Sequence, residues 1–287
     1  MRLRTLAPAK INVCLFLGPT RPDGRHDLVS VMQSVSLADR VMLELADGEA
    51  DEVVNPGIDP EHDLVARALR GLRACAGWTG PAVRITVDKR IPVAAGMAGG
   101  SADAGAALRL ASRAAGGIPH DLLQEVAAGL GSDVPAQVRP GRVLATGAGE
   151  ELQRVPGVAP YAVLVVPDRD GLSTADVFRE ADRLGLPCDA ETLAARRAEV
   201  VAALPDLPDA LCVNDLEPAA LSLRPDLGVR LGALRDAGAD VAVVSGSGPT
   251  TLGLFRDEAA AREAAGRFDR ALVARPVGPD AGEVLAA

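Results

Sequence analysis

The chain has 287 residues and a formal net charge of −9, and 48% of its residues are hydrophobic but only 2% aromatic. This length suggests two domains of ordinary size. The negative charge argues against a nucleic-acid partner, because binding a duplex needs clustered cations. The chain starts without the apolar stretch of a signal peptide, and no apolar run approaches the ~20 residues of a membrane span. We therefore expect a cytoplasmic protein with no membrane partner.

The four cysteines do not form a metal-binding pattern. Cys14, Cys75, Cys188 and Cys212 lie far apart, and none belongs to a C-x-x-C pair. Structural zinc sites need closely spaced ligand pairs, so a zinc site is not indicated. We expect reduced thiols, with Cys14 and Cys75 as small core residues.

Apolar periodicity and turn formers predict strands and helices in both halves of the chain. In the first half we expect strands at 11–17, 29–35, 41–45, 83–87 and 142–145, and helices at 63–76, 101–115 and 121–130. The segment 155–160 is the best candidate for a domain boundary. Beyond it we expect strands at 161–166, 241–244, 251–255 and 271–274, and helices at 174–184, 191–204, 225–237 and 257–268. The hairpin-length connections favour an α+β fold over a doubly wound parallel sheet.

A glycine-rich segment, PVAAGMAGGSA from Pro92 to Ala102, stands between a predicted strand and a predicted helix. Glycine lets the backbone come close to a ligand, and the amides of such a loop and of the following helix start attract an anion. It is not a Walker A loop, because no Lys-Ser/Thr follows the glycines, and its spacing does not fit a dinucleotide fingerprint. The alternative is a tight turn with Ser101 as a helix N-cap. The surplus of small residues favours phosphate binding.

Two polar residues interrupt the first apolar strand. Lys10 and Asn12 are two residues apart, so on a strand their side chains share one face. This arrangement suits a polar pocket, but a strand end that reaches solvent explains it equally well.

Two short turns are ambiguous when each is taken alone. GSDVP places Asp133 shortly before Pro135, which is a helix-start signal, so helix capping alone explains the aspartate. The later segment SGSGPT, at 245–250, is by itself only a loop between two strands.

Together and in this order, these segments resemble the GHMP kinases. That family has an N-terminal strand motif, a P-x-x-x-G-[LM]-[AG]-[GS]-[GS]-S loop and a C-terminal glycine turn, and all three are present here. PAKINVCLFLGPTRPDGRHDL, KRIPVAAGMAGGSADA, LGSDVP and VSGSGPT are similar to one branch of the family, whose members phosphorylate a cytidine-diphosphate-linked methylerythritol in non-mevalonate isoprenoid biosynthesis. The resemblance spans essentially the whole chain.

The resemblance implies a two-domain α+β fold with the active site in the cleft between the domains. An N-terminal S5-like domain would occupy 1–155 and a C-terminal ferredoxin-like domain 156–287. The implied activity is that of an ATP-dependent kinase, with Mg²⁺ accompanying the ATP and a cytidine-diphosphate-linked sugar alcohol as the small-molecule substrate. We also expect a monomer or a weak homodimer.

Residue by residue, the resemblance implies a catalytic pair, an ATP site and a substrate site. The catalytic pair is Lys10 and Asp133. The ATP site comprises Asp63, Lys89, Pro92, Val93, Ala94, Ala95, Gly96, Met97, Ala98, Gly99, Gly100, Ser101 and Ala102, with Ser101 also a candidate Mg²⁺ ligand. The substrate site comprises Asn12, Arg25, His26, Thr174 and Phe178, with His26 at the cytosine.

Two residues depart from the family pattern. Arg25 stands where the family has a tyrosine that stacks on the cytosine, and Asp63 stands where an asparagine is usual near the nucleotide base. A guanidinium also stacks on bases, although with different hydrogen bonding, so Arg25 either contacts the substrate or points to solvent. Two rivals therefore stay open: a GHMP kinase with another alcohol acceptor, such as homoserine, and a nucleotide-binding regulator without turnover.

Overall fold

Eleven strands and nine α-helices are present in the part of the chain that the structure, a computed structural model, describes, namely residues 1–93, 96–157, 161–168 and 170–287. The strands are β1 (Arg2–Thr20), β2 (His26–Leu45), β3 (Glu52–Val54), β4 (Val83–Asp88), β5 (Arg142–Thr146), β6 (Glu151–Val155), β7 (Ala162–Val166), β8 (Val241–Val244), β9 (Thr251–Phe255), β10 (Leu272–Ala274) and β11 (Leu285–Ala286). The helices are α1 (Leu64–Ala76), α2 (Gly99–Ala114), α3 (His120–Ala128), α4 (Val134–Val138), α5 (Thr174–Leu184), α6 (Ala190–Ala203), α7 (Glu217–Leu223), α8 (Asp226–Asp236) and α9 (Glu258–Ala265).

A seven-stranded sheet contains all six described strands of the first half, β1–β6, together with β11. Its order is β11-β1-β2-β4-β3, with β5 paired to β2 and β6 paired to β5. β1 and β2 form a long antiparallel hairpin whose register runs from Arg2 opposite Glu44 to Thr20 opposite His26, with three irregularities. β1 thus extends well beyond the predicted strand at 11–17, and β2 joins the predicted strands at 29–35 and 41–45 into one.

The sequence of α1 specifies its start, its end and its buried face. The side chain of Asp63 accepts a hydrogen bond from the Val65 amide at 2.8 Å, and Gly77 ends the helix in the left-handed region with φ 57°. The buried residues recur at helical spacing: Val65, Ala68, Leu69 and Leu72. The helix predicted at 63–76 is confirmed.

Helix α2 consists mostly of small residues, which allows neighbouring elements to pack closely against it. A Cβ at Gly105 would lie 2.5 Å from the carbonyl oxygen of Gln137, so only glycine permits this approach of α4. The helix begins at Gly99, after Ala98 with φ 53°. The expected start at Ser101 and the alternative role of Ser101 as N-cap are therefore wrong, since Ser101 lies within the first turn.

A second, antiparallel sheet of four strands has the order β10-β7-β9-β8. Its Leu164 and Phe255 are buried with Leu231 and Leu234 of α8, which confirms the strands predicted for this half. The expected domain boundary at 155–160 lies between β6 and β7, and its residues 158–160 fall outside the described part of the chain. The division at 155/156 stays a prediction. The chain end returns to the first sheet, where β11 pairs with β1.

Several short elements escaped the sequence analysis, namely β3, β6, α7 and β11, and only the start of α4 was indicated, by the segment GSDVP. Cys14 is buried as expected, but the expectation for Cys75 is wrong, because it is exposed at the last turn of α1, away from the buried stripe. In the part of the chain described, no helix is both long and apolar enough to cross a membrane.

Candidate active site

Asp133 lies beside Lys10, at the start of α4. The distance between Lys10 Nζ and Asp133 Oδ1 is 3.2 Å. Within the described residues the Asp133 side chain makes no capping hydrogen bond to α4, so its interpretation as a helix cap is wrong. Its side chain is 29% exposed whereas that of Lys10 is 9% exposed. An incoming hydroxyl group can therefore reach the carboxylate, and a nearly buried cation stands beside it.

A chain of hydrogen bonds fixes the direction of the Lys10 side chain. Lys10 Nζ donates to Asn12 Oδ1 at 2.9 Å, Asn12 Nδ2 donates to Ser30 Oγ at 2.8 Å, and Ser30 Oγ donates to the Cys14 carbonyl at 2.6 Å. The expectation that Lys10 and Asn12 share a face is confirmed. Both residues are buried, so the alternative of a strand end in solvent is wrong.

The glycine-rich segment leads from β4 into the N-terminus of α2. Gly96 and Ala98 have φ values of 68° and 53°, so the backbone turns sharply there. The segment lines a pocket of about 210 Å³, together with Ile58 and Lys89. The first amides of α2 have no acceptor within the helix, which makes this a place for an anion. Ala94 and Ala95 of the predicted phosphate-binding segment lie outside the described residues.

The turn at 245–250 packs against this loop. A Cβ at Gly96 would lie 2.6 Å from the carbonyl oxygen of Gly248, and Ser245 Oγ donates to the Gly96 carbonyl at 3.4 Å. The same turn also approaches β1, because a Cβ at Gly246 would lie 3.2 Å from Asn12 Oδ1. The three segments that resemble the family signatures therefore meet in space.

Asn214 holds that turn in place. Its Nδ2 donates to the carbonyls of Val244 at 2.8 Å and Gly246 at 2.7 Å, and its Oδ1 accepts from the Leu216 amide at 3.0 Å. All of its side-chain bonds go to backbone, so Asn214 has a structural role.

Lys89 does not point freely into the nucleotide pocket. Its Nζ lies 2.6 Å from Asp39 Oδ2 and 2.8 Å from Asp103 Oδ2, and both carboxylates are fully buried. Asp39 Oδ1 also accepts from the amides of Arg90 at 2.5 Å and Ile91 at 2.7 Å. Burial favours the neutral amine, but the charges of Asp103 and Asp39 and the hydrogen bonds with them outweigh it and raise the pKa of Lys89. The ammonium is thus a fixed positive charge on the wall of the pocket.

Asp63 and Ser101 lie close to the pocket without lining it. Asp63 is 4% exposed and its side chain caps α1, so its predicted contact with the nucleotide base stays a prediction. The adjacent Leu64 lies 3.7 Å from the position of a Cβ at Gly100, which brings the start of α1 next to the loop. Ser101 is half-buried in the first turn of α2.

On the acceptor side, His26 of β2 meets α5. Its Nε2 lies 2.7 Å from Asp182 Oδ1 and 3.2 Å from Thr20 Oγ1, and its ring centroid is 5.3 Å from that of Phe178. His26 is only 6% exposed. The two predicted substrate residues His26 and Phe178 therefore lie together, although Asp182 already occupies one nitrogen of the imidazole.

Thr174 joins α5 to the glycine turn. Its Oγ1 lies 2.9 Å from Ser247 Oγ, and both hydroxyls are exposed. The side chain of Ser173 caps the same helix by accepting from the Asp176 amide at 3.3 Å. The contact between the two hydroxyls places the predicted substrate residue Thr174 beside the turn at 245–250, which packs against the glycine-rich segment.

Arg25 is engaged within its own turn. Its Nε and Nη2 lie 3.0 and 2.8 Å from Asp23 Oδ2, and its side chain is 53% exposed. The side chain is thus open to solvent, and its predicted contact with the substrate stays a prediction.

Sequence reasoning missed the residues that position the site: Ser30, Asp39, Asp103, Asp182, Asn214 and Ser247. Each acts on a residue far away in sequence, so spacing contains no signal for it. Asp103 and Ser247 are the exceptions. Asp103 lies inside the segment KRIPVAAGMAGGSADA, 14 residues from Lys89, at a polar position in a helix of alanines, and Ser247 lies inside the segment VSGSGPT.

Family models match both halves of the chain. The model described as GHMP kinases N terminal domain matches residues 63–141, and the one described as GHMP kinases C terminal matches residues 198–274. Among solved structures, a 4-(cytidine 5'-diphospho)-2C-methyl-D-erythritol kinase matches with a TM-score of 0.79 and 30% identity, over 96% of this chain and 99% of that one. A homoserine kinase from Cytophaga hutchinsonii, at 19% identity and TM-score 0.76, shares the fold.

Curated relatives are similar over nearly the whole chain. A 4-diphosphocytidyl-2-C-methyl-D-erythritol kinase from Streptomyces coelicolor is 44% identical over 276 residues, which is 93% of this chain and 92% of the relative. A protein of the same name from Thermobifida fusca is 44% identical over 274 residues, covering 90% and 88% of the two chains. The two matched family models and these relatives show that the chain belongs to the GHMP kinases, a family of ATP-dependent small-molecule kinases, and that the two-domain fold expected of them is the fold it has.

Proposed function

We propose that this chain transfers the γ-phosphoryl group of ATP to a hydroxyl of 4-diphosphocytidyl-2-C-methyl-D-erythritol, in the synthesis of isoprenoid precursors. The observation that supports this most directly is the pair of Lys10 and Asp133, 3.2 Å apart, in a chain whose curated relatives are named for that substrate. The residue assignments below are part of the same proposal.

In this reaction the protein contributes mainly positioning and charge stabilisation, because the transition state of phosphoryl transfer is loose. The amides of the loop at Gly96–Gly100 and of the start of α2 hold the phosphates. Asp133 accepts a hydrogen bond from the acceptor hydroxyl, orients it towards the γ-phosphorus and takes its proton. Lys10, held by Asn12, offsets negative charge on the group in transfer.

Mg²⁺ accompanies the ATP in this proposal. The described residues contain no group of three or more His, Cys, Asp or Glu side chains arranged to hold a metal. This fits an ion bound chiefly by phosphate oxygens and water, as is usual for Mg²⁺ at nucleotides. The Ser101 hydroxyl, in the first turn of α2, is the ligand we assign to the protein. The ion supplies neutralisation of phosphate charge.

The cytidine end of the acceptor would lie between β2 and α5. His26 and Phe178 offer a ring pair there, and Thr174 offers an exposed hydroxyl next to the glycine turn. Asp182 Oδ1 lies 2.7 Å from His26 Nε2 and orients the ring. In the neutral tautomer with the proton on Nε2, Nδ1 would accept from the exocyclic amine of cytosine. Arg25 contributes little to this site, because its guanidinium is bound to Asp23.

We also propose that the enzyme works in the cytoplasm as a monomer or a weak homodimer. The four free cysteines support the location, since a reducing compartment keeps thiols unpaired.

Purified protein, ATP and Mg²⁺ incubated with each of two acceptors test the proposal. With 4-diphosphocytidyl-2-C-methyl-D-erythritol we expect a new phosphomonoester by ³¹P NMR and stoichiometric ADP, and with homoserine only background. Transfer to homoserine alone would contradict the proposed substrate. No consumption of ATP with either acceptor would favour the nucleotide-binding regulator.

A further inference from the structure

A second cavity, separate from the pocket of the glycine loop, is lined by residues of both sheets. Its volume is about 220 Å³, and its apolar wall includes Val13 of β1, Leu207, and Leu254 and Phe255 of β9. None of the described residues that we assign to ATP, to the acceptor or to phosphoryl transfer lines it. The proposed kinase reaction therefore leaves this cavity without a role.

Two polar side chains in the cavity are buried without a full set of partners. Arg142 is 4% exposed, and its Nη1 donates to the carbonyl of Pro205 while its Nε has no hydrogen-bond partner in the described part of the chain. No ion pair joins Arg142 to a carboxylate among those residues. The hydroxyl of Tyr161 is also buried and without a partner there. Burying a cation and hydrogen-bond donors in this way is unfavourable unless an anionic acceptor joins them.

Both polar side chains offer hydrogen-bond donors to a ligand. Burial raises the pKa of the Tyr161 hydroxyl well above its usual range, so it stays a neutral donor. Arg142 offers several guanidinium N–H donors. A carboxylate fits this pair because it offers four lone-pair sites and accepts charge-assisted hydrogen bonds.

The remaining charges around the cavity decide how many negative charges a ligand can have. Asp206, Asp209 and Asp240 also line it, and Arg256 already pairs with Asp209 at 2.7 Å. Arg142 is therefore the one lining cation without a carboxylate partner among the described residues. The three lining carboxylates outnumber the two lining cations, and Arg256 pairs with both Asp209 and Asp240. A diphosphate or other polyanion would therefore be repelled, and one negative charge placed against Arg142 is the most that the cavity accepts.

We propose that this cavity binds a small monocarboxylate with an apolar body, whose carboxylate is held by Arg142 and Tyr161. The apolar body lies against Val13, Leu207 and Phe255, where burial of hydrocarbon surface favours it. The size of the cavity limits the ligand to a small metabolite rather than a long-chain lipid.

Titration calorimetry with hexanoate as the probe tests the proposal on the full chain. We expect binding at millimolar concentration or tighter, with no binding of hexanol or pyrophosphate, because the first lacks the charge and the second has too much. Binding is expected to persist in saturating ATP, since the two pockets share no lining residue among those described. Displacement of hexanoate by ATP, or equal binding of hexanol, would overturn the proposal.

Variants distinguish hexanoate binding in this cavity from nonspecific binding elsewhere on the protein. Tyr161→Phe keeps the ring and removes one donor to a charged acceptor, so we expect about tenfold weaker hexanoate binding. Arg142→Gln is expected to abolish binding, and Leu207→Trp fills the cavity and is expected to do the same. Arg262→Gln, at a side chain 67% exposed on α9, is the matched control and should bind as the wild type does.

If Arg142→Gln does not fold, which its place in β5 makes a concern, the other two variants decide. Unchanged affinity in both Tyr161→Phe and Leu207→Trp, with the folded state verified by circular dichroism, would overturn the assignment to this cavity.

Discussion

Lys89 lies between the carboxylates of Asp39 and Asp103, both of which are completely buried. Asp103 has an ordinary pKa of 3.8, and burial raises it to about 8 against the attraction of Lys89, with a further contribution from the charge of Asp39. Between these two pH values the folded protein holds a proton that the unfolded chain has released. The contribution of Asp103 to the free energy of unfolding therefore falls as the pH rises through this window.

Replacing Asp103 by Asn removes this titration. We expect the free energy of unfolding of Asp103→Asn to decline less steeply with pH than that of the wild type, by up to about 1.4 kcal/mol per pH unit. Urea unfolding at a series of pH values measures the two slopes. Asp88→Asn, at an exposed carboxylate on the neighbouring strand end, serves as the control and should leave the slope unchanged. Parallel slopes for wild type and Asp103→Asn would show that Asp103 is ionised in the folded protein.

Arg25 yields a second prediction for a single residue. Because its guanidinium is 53% exposed and paired with Asp23, Arg25→Ala should change the KM for the cytidine substrate by less than about twofold, as for most exposed ion pairs. Asp182→Ala removes the partner that orients His26, and we expect this variant to raise the same KM clearly. If Arg25→Ala instead raises this KM five- to tenfold, the loss equals about the stacking free energy of one base. That result would mean that Arg25 leaves Asp23 and stacks on the cytosine.

At the scale of elements, the contact between the glycine loop and the turn at 245–250 allows the sharpest test of how the ATP site is held together. Gly96→Ala places a Cβ 2.6 Å from the Gly248 carbonyl and also puts alanine at φ 68°. Gly77→Ala, at the end of α1, has the same kind of backbone (φ 57°), but its Cβ meets nothing within 4 Å. The left-handed conformation costs alanine roughly 1–2 kcal/mol at either position.

We therefore expect Gly96→Ala to lose more stability than Gly77→Ala, because the clash adds to the cost of the backbone conformation that both share. Only Gly96→Ala should lose ATP affinity, by about tenfold or more, as the loop moves off the turn. Thermal unfolding and calorimetric ATP titration measure the two effects. Equal ATP affinity in the two variants would show that the loop does not need this contact to bind phosphate.

Elements were predictable where local chemistry decides them. For α1, the capping residue Asp63, the terminating residue Gly77 and the apolar residues between them all lie in one short stretch of sequence. The hairpin of β1 and β2 was only partly predictable, because buried polar residues such as Ser34 and Asp39 interrupt the apolar pattern. Their partners lie on other elements, so nothing nearby in the sequence marks those positions as buried.

At the scale of the whole molecule, the candidate site joins β1, the loop before α2, the start of α4, helix α5 and the turn before β9. The sequence allowed the ATP loop, Lys10 and Asp133 to be named by resemblance, but not the contacts between them. The carboxylate of Asp39 reaches Lys89 across 50 residues, and Asp182 reaches His26 across 156. Such pairs follow from the tertiary fold and leave no local pattern.

The central claim is that Asp133 serves phosphoryl transfer rather than the start of α4. It is tested most directly by the single-turnover rate of phosphoryl transfer to 4-diphosphocytidyl-2-C-methyl-D-erythritol in wild type and Asp133→Asn, with ATP affinity and unfolding measured on the same samples. We expect Asp133→Asn to lower the rate by about a hundredfold or more, as for loss of a positioned base, with ATP affinity nearly unchanged. Stability should fall modestly, because Lys10 loses the charge of its ion-pair partner 3.2 Å away, although no capping hydrogen bond within the described residues is lost. A folded Asp133→Asn protein that transfers phosphate within a few-fold of the wild-type rate would contradict the account.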